Sequence, residues 1–316
     1  MHESEPSSRI DTRSNPPWGT WIAAVFFTLS GALVALGWPA DASAQWPEVA
    51  DPATPRDADG DVLMDASPPR MPDGTPDLSG LWQRASSGPP PEGGRGGGGL
   101  IDAPTDPVPL DPDGPPIAAF FEAGANMEDG LPYTPWAREL RDRRAELNAR
   151  DNPDAHCLPM GFLQFHQQPQ PRMILQTEKM ILIEYEANYG VRHIYLDGRE
   201  LPPQGEPQPW WYGYSVGHWD GDDLIVETNN LRGAEDSEFD GWLDVNGSPY
   251  TREAKITERF RRPTYGHLQI DFTIDDPKAY TRPWTVRVDQ RLLPDQELIE
   301  FVCNENQQFG RRIQLD

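Results

Sequence analysis

Hydrophobic positions along this chain follow three regimes. Gly19 to Trp38 form an almost unbroken apolar run that includes WIAAVFFTLSGALVALGW. Across residues 47 to 135 the apolar residues scatter, and 18 Pro and 13 Gly punctuate the chain, a density typical of extended or low-complexity sequence. From residue 136 onward the apolar positions become periodic. Pro135 to Arg150 (PWARELRDRRAELNAR) sets Trp136, Leu140 and Leu147 on a helical period behind a proline, which predicts one amphipathic helix. Further on, Met180 to Tyr185, Val191 to Leu196, Leu224 to Thr228, Ile256 to Phe260, Leu268 to Ile274, Trp284 to Leu293 and Leu298 to Cys303 are rich in β-branched and aromatic residues and predict strands. Asp197-Gly198, Asp220-Gly221 and Asn246-Gly247 are tight-turn dipeptides, with Pro294-Asp295 a weaker one.

Strands joined by hairpins at this spacing predict an all-β, mainly antiparallel domain over residues 136–316, either a lipocalin-like barrel or a two-sheet sandwich. Residues 1–44 form an export segment and residues 45–135 a Pro/Gly-rich leader. Within the leader, the apolar island DLSGLW predicts an extra strand near Leu78 to Trp82, and Gly93 to Gly99 reads as a flexible tether.

The apolar run follows Arg9 and Arg13 and gives way to the small-residue stretch Ala40 to Ala44, the layout of a secretory signal cleaved after Ala44. At about 19 residues it also has the length of a membrane-crossing helix, so an uncleaved anchor stays open. Both readings place the remainder in the periplasm or outside the cell. The pair Cys157 and Cys303 then predicts a disulfide. No CxxC or Cys/His cluster points to zinc or thiol redox chemistry. The formal charge is −24, and setting aside residues 1–44, with four acids and two arginines, leaves −22. Such a surface repels nucleic acid and anionic lipid. The expected partner is a small molecule, with no cofactor or metal. The chain is expected to be a monomer or weak dimer, touching a membrane only through residues 19–38 if these are uncleaved.

PDLSGLW (Pro76 to Trp82), the turn LDGRE, the block GYSVGHWDGDDLIVET (Gly213 to Thr228), TERFRRP (Thr257 to Pro263) and IDDPKAYTRPW (Ile274 to Trp284) together resemble a family of secreted bacterial proteins with no established reaction. The resemblance spans about residues 70 to 306 and takes in Asp154 to Pro159 and Cys303 to Asn306. A Gly-x-Trp strand before an up-and-down β domain is also similar, as an analogy of fold, to lipocalin-like barrels, which enclose a small hydrophobic ligand.

Five large rings, Trp210, Trp211, Tyr212, Tyr214 and Trp219, fall within ten residues. One strand cannot bury them all on one face, so some are expected to face a cavity, groove or partner, or to plug a barrel end. Arg192, His193 and Tyr195 are candidate polar anchors, Ser215 counts with the rings among the ligand-contacting residues, and an aromatic-lined cavity of the barrel is expected to take a small, partly hydrophobic or ring-containing molecule. A cofactor-independent lyase, isomerase or hydrolase is the alternative, with His193, Tyr195, His218 and Glu184 moving protons. A structural or interaction module of the envelope is the third. Gly213 to Gly217 matches G-x-S-x-G, but a nucleophile elbow needs a helix after the serine, and here a strand follows.

Overall fold

The computed structural model describes residues 51–85, 111–187 and 190–303. The apolar run, the Ala40 to Ala44 exit, Gly93 to Gly99 and Asn304 to Asn306 lie outside them. Among the described residues no helix is long and apolar enough to cross a membrane. Nine strands form one closed wall in chain order: β1 (Gly80–Arg84), β2 (Arg172–Gln176), β3 (Met180–Tyr185), β4 (Gly190–Tyr195), β5 (Tyr214–Asp220), β6 (Asp223–Asn229), β7 (Lys255–Thr264), β8 (His267–Asp275) and β9 (Trp284–Leu292). The fold is therefore a barrel and not a sandwich.

The number of strands sets the topology. Strict up-and-down alternation of nine strands would bring the last beside the first in parallel. Instead β1 and β9 pair antiparallel, because β4 and β5 run parallel and shift the parity. A hairpin cannot join parallel neighbours, so a long crossover is required. Residues 196–213 provide it.

Side chains alternate across the wall with the period of a strand. On β7, Ile256, Glu258 and Phe260 are buried while Lys255, Thr257 and Arg259 are exposed. The inward set is mostly apolar and is capped from inside by Phe162, Leu163 and Phe165, the last on a one-turn helix at Gln164–Gln167. Trp82, Phe162, Phe165, Phe260 and Phe272 are among the largest fully buried side chains. The barrel interior is thus packed with protein.

The leader is bound to the barrel over its described residues. Arg56 and Arg70 sit in the repeated pattern P-R-x-x-D-G. Each donates to the carbonyl of the glycine four residues on, Gly60 at 2.9 Å and Gly74 at 2.8 Å. Each also pairs with a carboxylate on a barrel turn, Asp295 and Asp222 respectively. At these two places in the leader, expected to be extended over residues 45–135, Pro and Gly make turns held by arginine. Helix α1 (Pro135–Glu146) starts at Thr134, whose hydroxyl accepts from the Ala137 N–H. It stops short of Arg150 because Asn148 and Ala149 take left-handed backbone. Leu298 to Cys303, expected as a strand, is irregular. It ends in the predicted disulfide, which joins Cys303 to Cys157 with Cα atoms 5.6 Å apart.

Candidate functional site

The crossover opens the wall. β4 and β5 share only the pairs Ile194↔Ser215 and Tyr195↔Val216. Just before β5 the chain turns away from β4 at Gly213, whose φ of +64° suits glycine. Trp210 bonds instead beyond the end of β6, its N–H donating to the Asn230 carbonyl at 3.0 Å and its carbonyl accepting from the Arg232 N–H at 3.0 Å. The divergence leaves a groove of about 400 Å³.

Residues Gly190 to His193 and Tyr195 of β4, Trp210 to Gly213 of the crossover, Tyr214 and Ser215 of β5, and Pro159 line this groove. Every expected ligand-contacting residue is there except Trp219. Tyr195 and Tyr214 lie with ring centres 5.3 Å apart, Trp210 and Tyr214 at 5.4 Å, and His193 and Tyr195 at 6.4 Å. Arg199 braces the rings from one side. Its guanidinium lies 3.8 Å over Tyr195 and donates to the Tyr214 hydroxyl at 2.9 Å, while Asp197 pairs with it. Arg232 lies 4.2 Å over the Trp211 ring. Among the described residues none that lines the groove is acidic, in a chain carrying 51 acids.

The floor belongs to the barrel interior. Arg192 faces inward and donates to both carboxylate oxygens of Glu258, one at 2.9 Å. It also donates to the hydroxyls of Ser215 and Thr228, each at 3.1 Å. Arg192 and Glu258 are 1% and 0% exposed, so this pair is fully desolvated. Burial alone pushes the Glu258 carboxyl up, but the charge and hydrogen bonds of Arg192 outweigh it and hold the group below the ordinary value. His166 places Nε2 3.5 Å from Glu258, and neither ring nitrogen makes a hydrogen bond. Burial pushes its pKa down to about 4, so the ring is neutral at neutral pH. The Tyr212 hydroxyl is buried without a partner and is pushed up by desolvation.

The four expected acid–base residues do not converge. His193 and Tyr195 line the groove, whereas His218 lines, with Trp219, a separate hollow of about 210 Å³ beside Asp73 and Thr75. Glu184 stands opposite Val191 on β3 and lines neither. The aromatic segment lines a groove that opens on the outer wall, in place of the interior cavity that was expected. Ser215 is a strand residue whose hydroxyl meets Thr228 at 2.8 Å, with the β5–β6 hairpin after it and no helix. Among the described residues no group of three His, Cys, Asp or Glu is placed to hold a metal.

Sequence reasoning missed Glu258 and His166. The readable sign for Glu258 was a carboxylate at an inward position between Ile256 and Phe260. His166 left no such sign, since it sits on a four-residue helix. No protein-family model, curated protein or solved structure matches this chain.

Proposed function

We propose that this protein works outside the cytoplasm and binds a small, partly apolar, ring-bearing molecule in the groove between β4 and the crossover. The observation that carries this reading is the lining: two Trp and three Tyr, with Arg192, His193 and Ser215, around about 400 Å³. That volume lies in the range of small-molecule sites. Ring faces on an acid-free wall favour contact with another ring, worth roughly 0.5–1.5 kcal/mol per aromatic pair beyond area burial. The disulfide supports an oxidising compartment. The acid–base alternative has less support, because His218 and Glu184 stand apart from the groove.

Trp210 and Trp211 are built-in reporters. Titrating the purified protein with 2-naphthol should quench or shift their fluorescence saturably, and Trp210→Ala should weaken binding several-fold with the fold intact. Native mass spectrometry of freshly purified protein should also reveal a retained small molecule. Absence of saturable binding, with no retained mass, would overturn the reading in favour of an envelope interaction module.

A further inference from the structure

β4 pairs with β3 along its whole length, from Gly190 to Tyr195, but with β5 only at Ile194 and Tyr195. Among the described residues, Gly190 to His193 therefore have no strand partner on the groove side. Along an antiparallel ladder alternate residues send N–H and C=O to the same edge. The Leu196 N–H donates to Lys179 on the β3 side, so Val191 and His193 are the residues that face the groove; the Ile194↔Ser215 bridge engages the His193 carbonyl, which leaves both groups of Val191 and the N–H of His193 on offer. Such groups are obligatory hydrogen-bonding partners, and an unpaired strand edge is a template for another chain.

Natural edges are guarded by Lys or Pro, by inward-pointing charges, by shortness or by a covering element. Among the described residues this stretch carries neither Lys nor Pro, and its inward charge, Arg192, is neutralised by Glu258. Val191 and His193 point outward, Arg192 points inward and is engaged by Glu258, and the crossover bends away at Gly213. Among the described residues, no carboxylate in the lining repels a row of peptide carbonyls. That contrasts with the −24 charge of the whole chain.

We propose that the ligand of the groove is an extended peptide segment, which adds a short strand to the free edge of β4 and lays a ring or apolar side chain against Tyr195, Trp210 and Tyr214. The inference rests on the groove being the binding site and adds what is recognised there, a peptide backbone. Strand addition draws affinity from main-chain hydrogen bonds and selectivity from pockets for alternate side chains. The free edge from Gly190 to His193 matches a partner of about three to four residues at roughly 3.3 Å per residue.

The test uses the full chain and three probes: the tripeptide Ac-Val-Tyr-Val-NH2, the same peptide N-methylated at each backbone amide in turn, and 2-naphthol as a ring without a backbone. Calorimetry or tryptophan fluorescence reads Kd for the unaltered protein and for Trp210→Ala. Trp210 is 42% exposed, and circular dichroism checks that its variant stays folded. The expected result is saturable binding of the parent peptide, weakened by Trp210→Ala. Methylation should weaken it roughly 3- to 10-fold at amides that face the edge, and little at those that face away. If methylation changes nothing while 2-naphthol and the peptide both bind, the groove recognises rings only, and the peptide inference falls while the groove reading stands. If neither probe binds, both fall. Peptide binding that survives Trp210→Ala unchanged places the edge elsewhere and also overturns the inference.

Discussion

Acidifying the protein from pH 7 to pH 4.5 tests whether His166 is held neutral inside the barrel. The ring has an ordinary value of 6.5 and is pushed down to about 4 by burial. Between those values the unfolded chain binds this proton and the folded chain largely does not. Stability from this group is therefore fully present above pH 6.5 and is lost as the pH falls toward 4. At pH 4.5 the loss works out at about 2–3 kcal/mol. Urea unfolding of the unaltered protein and of His166→Phe at both pH values isolates the effect. The replacement ring suits neighbours that are already aromatic, Phe165, Tyr185 and Phe272. Carboxylates elsewhere titrate in both proteins and cancel, and Glu258 keeps Arg192 in both. The midpoint difference between the two should move by roughly 1 M urea in favour of the variant at pH 4.5, for a slope of about 2–3 kcal/mol/M. An identical pH dependence would refute the argument, because it means that His166 is hydrated or already charged in the folded state.

Removing one partner of the interior ion pair should cost far more than removing both. Glu258→Ala leaves the Arg192 charge buried and is expected to lose about 3–5 kcal/mol by chemical denaturation, whereas Arg192→Met combined with Glu258→Leu should recover most of it. Gly213→Ala would place a methyl 2.5 Å from Thr228 Cγ2 and 2.7 Å from the Asn229 carbonyl at a φ of +64°. It should lower stability by about 2 kcal/mol or more in thermal melts and weaken 2-naphthol binding. Cys157→Ser with Cys303→Ser opens a link between residues 146 apart in sequence, and calorimetry should find a loss of roughly 4–5 kcal/mol. Arg70→Ala breaks an exposed pair and should change stability by at most about 1 kcal/mol.

Strands with apolar inward residues were legible in the sequence. β3 spans Met180 to Tyr185, as its alternation indicates, and β7 and β8 contain the runs at Ile256 and Leu268. β2 and β5 escaped because their inward positions include Arg172, Ser215 and Gly217, which break the period. Gly217 has little choice, since a Cβ there would lie 2.8 Å from Leu196 Cδ2. Pro and Gly counts read alike for a free tether and for turns held by arginine. What separates them is contact between residues 239 and 152 apart, Arg56 with Asp295 and Arg70 with Asp222, which no local pattern encodes. The groove's rings were legible because they are close in sequence. The array beneath them was not, because Arg192, Glu258 and His166 arrive from β4, β7 and a one-turn helix.

The disulfide divides the wall in a way the topology alone does not reveal. Every strand except β1 lies between Cys157 and Cys303, so the covalent graph is a ring with a pendant thread, and the thread supplies the keystone between β2 and β9. Synthesis delivers β1 first, yet the cylinder cannot be completed until β9 exists. Until that moment the nascent sheet carries two raw margins, and unfinished margins are where one chain joins another. The arrival of β9, and not of the keystone made first, thus sets how long each new copy stays open to its neighbours.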